Sequence, residues 1–212
     1  PGPVDRFGRR FRNLRVSLTA ACNYACTYCV PNGKRLLRAD RELDAEQMLR
    51  AIELLVAGAD IDHLRLTGGE PLVRRNIMWL FERLGRHLKS GTLDELTLTT
   101  NGSQLAKYAQ ELADCGVRRI NVSLDTLNPE KFQAITRWGK FDKVMEGVSA
   151  AVDAGLAIKI NCVALKGVND DEIHDMVQWC GKNGHDVTFI EVGPGQALTA
   201  LIRQHRIQGA LP

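Results

Sequence analysis

Short apolar runs alternate with longer amphipathic segments along most of the chain. The short runs, rich in aliphatic and β-branched residues, predict six strands at residues 14–18, 63–67, 95–99, 119–123, 157–163 and 187–191. The longer segments repeat apolar residues near i, i+3, i+4 and i+7 and predict helices at residues 44–57, 77–89, 103–115, 141–154 and 170–183. Alternating strands and helices indicate βα units and a parallel sheet.

Six βα units are too few for a closed eight-stranded barrel but enough for an open three-quarter barrel. The sequence therefore predicts an α/β fold, a partial (open) TIM-type (β/α)6 barrel with parallel strands. A doubly wound sheet is the alternative, because the order of the strands is not visible in the sequence. In both folds ligands bind at the carboxyl ends of the strands.

Polar and glycine-rich residues follow strand after strand at that edge. Three cysteines follow the first strand, TGGEP (67–71) ends the second, TTNG (99–102) the third and SLD (123–125) the fourth. Asn161 and Lys166 lie in or after the fifth strand, and Glu191 ends the sixth. Turns alone do not explain such a series, and we predict a binding site there.

Composition excludes several classes of protein. The 212 residues suit one domain with a short appendage, with hydrophobic and charged fractions of 44% and 25% that are ordinary for globular proteins. A net charge of +3, from 28 basic and 25 acidic residues, is too balanced to indicate nucleic acid binding. We expect no membrane span and no signal peptide, and the six cysteines do not resemble a secreted disulfide framework, so a cytoplasmic location is expected.

We expect three regions along the chain. Residues 1–10 form a basic N-terminal arm whose first three residues, PGP, look like a remnant of an expression vector. Residues 11–192 form the barrel domain, and residues 193–212 form a divergent C-terminal tail with a helix-like stretch at 196–205.

Cys22, Cys26 and Cys29 are spaced CxxxCxxC just after the first strand. Three thiolates can hold three irons of a cubane iron-sulfur cluster and leave the fourth iron open to a substrate or cofactor. Structural zinc needs four ligands, and His63 or Cys115 would have to approach in the fold to complete it. The spacing favours the cluster over zinc or free thiols.

Gly68 and Gly69 remove two side chains where the second strand ends. Backbone groups can then lie directly against a ligand. A pair of glycines is more often a plain turn, but beside a cysteine loop it is a candidate for holding the amine and carboxylate of an amino acid.

The cysteine motif and the TGGEP run, about 40 residues apart, together resemble the radical S-adenosylmethionine (SAM) superfamily. Within it, the chain from about residue 10 to 192 resembles the GTP 3′,8-cyclases of molybdenum cofactor biosynthesis. The runs that carry this resemblance are LRVSLT (14–19), RLTGGEPL (65–72), TTNG (99–102), NVSLDTL (121–127), FDKVMEG (141–147) and KINCV (159–163).

The resemblance implies a 4Fe-4S cluster and SAM as cofactors and GTP as the substrate. A 5′-deoxyadenosyl radical would take hydrogen from C3′ of GTP, and the substrate radical would attack C8 of its own guanine. The product would be 3′,8-cyclo-7,8-dihydro-GTP. The resemblance also implies a flavodoxin or ferredoxin as electron donor, a downstream cyclic pyranopterin synthase and a homodimer.

The same resemblance assigns roles to residues by position. The cluster ligands are Cys22, Cys26 and Cys29; the SAM contacts are Tyr28, Gly69 and Ser123; the GTP contacts are Arg15, Arg65, Thr99 and Lys159. Three cations converging from separate strands would neutralise a triphosphate. Four polar residues remain open between cofactor contacts and structural hydrogen bonding: Glu70, Asn101, Asp125 and Asn161. Three further thiols are expected to be buried or half-buried: Cys115, Cys162 and Cys180.

The resemblance fails toward the carboxyl end. The family carries a second 4Fe-4S cluster on three more cysteines, and no cysteine follows Cys180 here. The family methionine that follows the sixth strand and contacts SAM is replaced by the run GPG at 193–195. Three explanations stay open, namely a truncated or spliced chain, a chain with segments left out, and a paralogue.

The alternatives in function are a radical SAM enzyme with another substrate, peptide or nucleotide, and a non-catalytic binding module.

Overall fold

The computed structural model of the chain describes residues 2, 4–34, 37 and 42–191. Six parallel strands form one sheet in the order β1 to β6. They are β1 (Asn13–Ser17), β2 (His63–Thr67), β3 (Glu95–Thr100), β4 (Arg119–Ser123), β5 (Ala157–Ala164) and β6 (Asp186–Glu191). A doubly wound sheet would reverse its strand order at a switch point. The sequential order excludes that alternative and confirms the open α/β partial barrel.

In the described ranges, six α-helices connect the strands. They are α1 (Ala45–Ala59), α2 (Ile77–Lys89), α3 (Leu105–Asp114), α4 (Pro129–Thr136), α5 (Phe141–Asp153) and α6 (Ile173–Lys182). The five predicted helices are confirmed. Their observed ends differ from the predicted ones by at most three residues. The largest shift is at α6, because Asp170–Glu172 form a separate 3-10 turn before it.

Helix α4 was not predicted, although its start carries a local signal. The Asn128 side chain accepts hydrogen bonds from the backbone N–H of Glu130 and Lys131, and Pro129 occupies the first helical turn. Asparagine at the N-cap followed by proline is a typical helix start. The helix is only eight residues long, so its apolar periodicity is weak.

One face of the sheet packs against the helices and is apolar. Eight of its side chains are at most 3% exposed: Leu64, Leu66, Leu96, Leu98, Ile120, Val122, Ile158 and Ile160. The helices bury matching aliphatic and aromatic side chains in the same cluster, among them Ile52, Leu80, Phe81, Leu112, Val144 and Met176. This layer forms the core and fixes the register of the strands.

The opposite, concave face of the sheet is polar. Its residues alternate with the core positions and include Arg15, Arg65, Thr99, Asn121 and Lys159. The interior of a complete eight-stranded barrel is usually a packed apolar core. A polar, partly exposed interior is instead suited to a ligand.

The remaining described parts are short. Residues 4–10 form a turn closed by an antiparallel bridge between Val4 and Arg10, in which Asp5 accepts hydrogen bonds from Phe7 and Arg9. None of the helices in the described ranges is long and apolar enough to cross a membrane. The predicted tail at 193–212, with its helix-like stretch, lies outside the described residues.

Candidate active site

The cysteine loop runs from the end of β1 to residue 34 without helix or strand. Within it, the backbone N–H groups of Cys29 and Val30 both donate to the carbonyl oxygen of Cys26, at 3.0 and 2.8 Å. This single turn places Cys26 and Cys29 close together in space. All three cysteines are free; Cys22 and Cys26 are half-buried and Cys29 is exposed.

The surroundings of Cys22 and Cys26 favour the neutral form of these two thiols. Burial raises the pKa of Cys22, and the nearby Glu70 carboxylate raises it further. Burial raises the pKa of Cys26 to about 12, with the Asp125 carboxylate as the next cause. Cysteine binds metal as the thiolate. A bound group that carries positive charge would therefore have to supply the electrostatic stabilisation that these thiolates lack.

The three sulfur atoms are spread more widely than a single metal ion requires. Zn–S bonds of about 2.3 Å in a tetrahedron would place sulfurs about 4 Å apart. Among the described residues, the set of three or more ligand atoms all within 4.8 Å of one another is Asp62, His63 and Asp94, which does not include the cysteines. The donor set fits a multi-iron cluster better than zinc.

Tyr28 and Asp125 join the cysteine loop to the end of β4. The Tyr28 hydroxyl donates to one carboxylate oxygen of Asp125 at 2.8 Å, and the N–H of Val163 donates to the other at 2.8 Å. Asp125 is only 6% exposed, and burial raises its pKa. This arrangement assigns Asp125 a structural role and holds Tyr28 beside the cysteines.

The two glycines after β2 pack against the start of the cysteine loop. The Gly69 N–H donates to the carbonyl of Thr19 at 2.7 Å, and the Glu70 N–H donates to that of Ala21 at 2.8 Å. A Cβ on Gly69 would lie 2.4 Å from the Ala21 oxygen, so no larger residue fits. Both glycines remain exposed on their other side. The close approach that the structure shows is to the backbone of the cysteine loop, and the approach of a ligand to the exposed side of the glycines stays a prediction.

Glu70 is a structural hydrogen-bond acceptor. Its carboxylate is completely buried and accepts from the N–H of Leu72 (3.0 Å), the hydroxyl of Thr100 (2.7 Å) and the N–H of Asn101 (2.6 Å). Burial raises its pKa to about 7, and the three donors oppose that shift. Asn101 in turn donates to Asn23 at 2.8 Å. The loops after β1, β2 and β3 are thus one connected network.

The residues predicted to contact GTP lie on the polar face at two levels. Arg15 and Arg65 are direct neighbours across β1 and β2, and Arg65 lies opposite Thr97 on β3. Thr99 and Lys159 both align with Asn121. They lie one level, about 7 Å, nearer the carboxyl edge than the arginines.

The predicted SAM contacts lie higher still. Ser123 is two residues beyond Asn121 on β4, and Gly69 is two residues beyond the end of β2. The carboxyl edge therefore carries the cysteines and the predicted SAM contacts together. The arginines lie deepest on the polar face.

The expected convergence of three cations is only partly met. Arg15 and Arg65 are adjacent, and burial of Arg65 together with repulsion by Arg15 lowers the pKa of Arg65. Lys159 is three strands away from Arg65, about 14 Å along the sheet. The arginine pair and the lysine are therefore separate positive sites on one face.

Residues 16–180 of the chain match the family model of the radical SAM superfamily. This stretch includes the end of β1, the cysteine loop, the diglycine and the complete strands β2 to β5. The chain belongs to the radical SAM superfamily. Curated GTP 3′,8-cyclases from Brucella canis and Brucella ovis are 56% identical to it over 191 residues, which cover 90% of this chain. The chain spans about half, 55%, of the length of these relatives.

Solved structures with the same fold also match this radical SAM chain. A structure of Streptococcus suis SuiB bound to S-adenosylmethionine has a TM-score of 0.73 at 18% identity and covers 94% of this chain and 48% of that one. The structure of anSMEcpe with bound AdoMet has a TM-score of 0.67 at 18% identity, and the match covers 84% of this chain and 50% of that one. At this identity the likeness concerns the fold.

Sequence reasoning missed two charged residues of this radical SAM barrel. Arg119 on β4 forms an ion pair with Glu95 on β3 at 2.8 Å, and both contribute to the charge around Arg65. Together with Arg15 and Arg65, Glu95 lines a cavity of about 270 Å³. The signal was available, since these residues occupy the alternate positions of β3 and β4 that do not face the helices.

Proposed function

We propose that this chain is the radical SAM barrel of a GTP 3′,8-cyclase, which converts GTP to 3′,8-cyclo-7,8-dihydro-GTP in molybdenum cofactor biosynthesis. The observation that carries the proposal is the 56% identity to curated cyclases over 90% of the chain. The domain would comprise residues 11–192, flanked by the arm and the tail.

Cys22, Cys26 and Cys29 would hold a 4Fe-4S cluster, with SAM contacted by Tyr28, Gly69 and Ser123. When bound, the cluster and SAM supply the 5′-deoxyadenosyl radical. The three thiols lie on one short loop of the chain. The exposed side of the diglycine gives the cofactor access to backbone groups next to those thiols.

The polar face would bind GTP below the cofactor. Arg15 and Arg65 are adjacent cations across β1 and β2, and two arginines suit a polyphosphate. Thr99 and Lys159 lie one level nearer the cysteines. Phosphates at the arginine pair would direct the ribose toward the carboxyl edge, where the cluster and SAM would supply the radical.

Several finer points belong to the same proposal. The reductant would be a flavodoxin or ferredoxin, and the product would pass to a cyclic pyranopterin synthase. The protein would be a cytoplasmic homodimer. A second 4Fe-4S cluster would be held by cysteines outside this sequence. Cys115, Cys162 and Cys180 do not suit that cluster, because they lie on separate elements and two of them are buried.

Anaerobic reconstitution with iron and sulfide tests the proposal. We expect about four irons per chain, cleavage of SAM to 5′-deoxyadenosine after reduction, and binding of GTP in preference to guanosine, because the arginine pair recognises phosphate. The readout of SAM cleavage concerns the cluster on Cys22, Cys26 and Cys29 and does not require the second cluster. A colourless protein that holds zinc, or equal affinity for GTP and guanosine, would contradict the proposal.

A further inference from the structure

The residue that follows α4 has an unusual backbone conformation. Arg137 has φ of +65° and ψ of −41°, a region that favours glycine over residues with a side chain. A strained residue persists where its surroundings hold it in place. The interactions of the Arg137 side chain are therefore informative.

The guanidinium group of Arg137 binds the backbone of the cysteine loop. Its Nη1 donates to the carbonyl oxygens of Ala25 and Val30 at 2.8 and 2.7 Å, and its Nη2 donates to that of Pro31 at 3.2 Å. Ala25 directly precedes Cys26, and Val30 directly follows Cys29. The guanidinium group of Arg137, whose two Nη atoms form a fork, thus spans the segment that carries two of the three cysteines.

The end of α4 adds backbone hydrogen bonds to the same segment. The N–H of Ala25 donates to the carbonyl of Thr136 at 3.2 Å, and the N–H of Thr27 donates to that of Ile135 at 2.9 Å. The loop has no regular structure of its own that would satisfy these groups. A planar guanidinium can reach three carbonyls at once, which a lysine ammonium cannot match in geometry.

We propose that Arg137 is a positioning residue that holds the CxxxCxxC loop in its metal-binding shape before and after a cluster is bound. Groups that orient metal ligands contribute strongly to metal retention, and their loss typically costs 10- to 100-fold in affinity or activity. This inference rests on the proposed cluster site. No contact between Arg137 and a cofactor is required.

Three substitutions of Arg137 separate the side chain from the backbone. Arg137→Gly removes the guanidinium and suits the positive φ, so it does not add strain. Arg137→Ala removes the guanidinium and keeps the strain, and Arg137→Lys keeps the charge without the fork. Arg86→Ala is the matched control, because Arg86 is exposed and pairs with Glu82 on α2, at 3.1 Å.

The first measurement uses the metal-free chain and does not depend on a cluster. Alkylation of Cys26 and Cys29, followed by mass spectrometry, reports how well the loop is held. We expect both cysteines to react several-fold faster in Arg137→Gly than in the unsubstituted chain or in Arg86→Ala. Cys115 in the same molecules is the internal standard, since it is half-buried at the end of α3, where its backbone lies against Gly85 on α2.

The second measurement is the rate at which the reconstituted chain loses iron to a chelator. We expect loss about 10- to 100-fold faster in Arg137→Gly and Arg137→Ala, with a smaller increase in Arg137→Lys. Unchanged alkylation and iron loss in Arg137→Gly would overturn the inference, as would full rescue by lysine. A lower thermal midpoint with unchanged iron loss would also overturn it. If the unsubstituted chain binds no iron, the proposed function fails, while the alkylation result still decides the role of Arg137.

Discussion

The two faces of the sheet are built from adjacent residues of the same strands, yet they differ completely in chemistry. On β3, Leu98 is fully buried against the helices, while Thr99 is partly exposed on the concave face. On β5, Ile160 and Lys159 repeat the contrast. Parallel strands covered on both faces are usually continuous apolar runs. Here alternation shows that one face is a core and the other is available for binding.

This comparison implies that alternate residues of each strand serve different purposes, stability on the helix side and chemistry on the concave side. Substitutions on the helix side should act on folding, and those on the concave side or in the loops above it should act on cofactor and substrate. The following experiments test that separation.

The largest effect is expected in the cysteine loop. Cys26→Ser removes a proposed cluster ligand and should abolish SAM cleavage, measured as 5′-deoxyadenosine formed under anaerobic reduction. Cys115→Ser is the control, because Cys115 lies half-buried at the end of α3. Equal activity of the Cys26→Ser variant and the control would exclude Cys26 as a ligand.

The pair Leu98→Ala and Thr99→Ala tests the two faces at neighbouring positions. Leu98→Ala should lower the free energy of unfolding by about 3 kcal/mol, because it leaves a cavity in a fully buried layer. Thr99→Ala should change it by only about 0.5 kcal/mol and should weaken GTP binding. Urea denaturation and calorimetric GTP titration measure the two effects. Similar losses of stability would mean that the concave face is also a core.

Lys159→Ala tests the separate positive site on β5. Loss of a charged hydrogen bond, about 1.5 kcal/mol or more, predicts GTP binding weakened by about tenfold or more, with a smaller change in SAM cleavage. Lys143→Ala is matched to it, because Lys143 forms an exposed ion pair with Glu146 on α5. If both lysine variants bind GTP equally well, Lys159 does not contact the substrate.

The last comparison concerns Glu70, which joins three loops. Its pKa is raised from 4.5 to about 7 in the folded protein, so the folded state binds a proton that the unfolded state has released. Its contribution to stability is therefore fully present below about pH 4.5 and is lost as the pH rises through about 7. Between about pH 5 and pH 8, unfolding free energy should decline more steeply in the unsubstituted chain than in Glu70→Gln. Parallel pH profiles would show that Glu70 is ionised throughout.

The fold could be predicted almost completely from the sequence. Every strand boundary is correct to within one residue, because each strand is a short apolar run bounded by turn residues. Strand order could not be predicted, since it depends on long-range pairing. Helix α4 was missed because eight residues give too little periodicity, although Asn128 and Pro129 carried the capping signal.

For the candidate site, the sequence could suggest a set of residues but not their geometry, and their roles stay predictions. Motif spacing identified the cysteines and the diglycine, and the structure places them at one edge. The sequence could not show that Glu70 and Asp125 are committed to internal hydrogen bonds, because their partners come from three other segments. The Arg137 fork was equally invisible, since it joins residues more than 100 positions apart.

The close approach of Gly69 to Ala21 has a consequence for protein engineering. The cysteine motif cannot be transplanted alone into another barrel, because its first residues rest on the backbone of the neighbouring strand's turn, where a methyl group would collide with a carbonyl. A successful graft would have to carry both segments as a single cassette. Libraries that randomise position 69 should yield glycine almost exclusively.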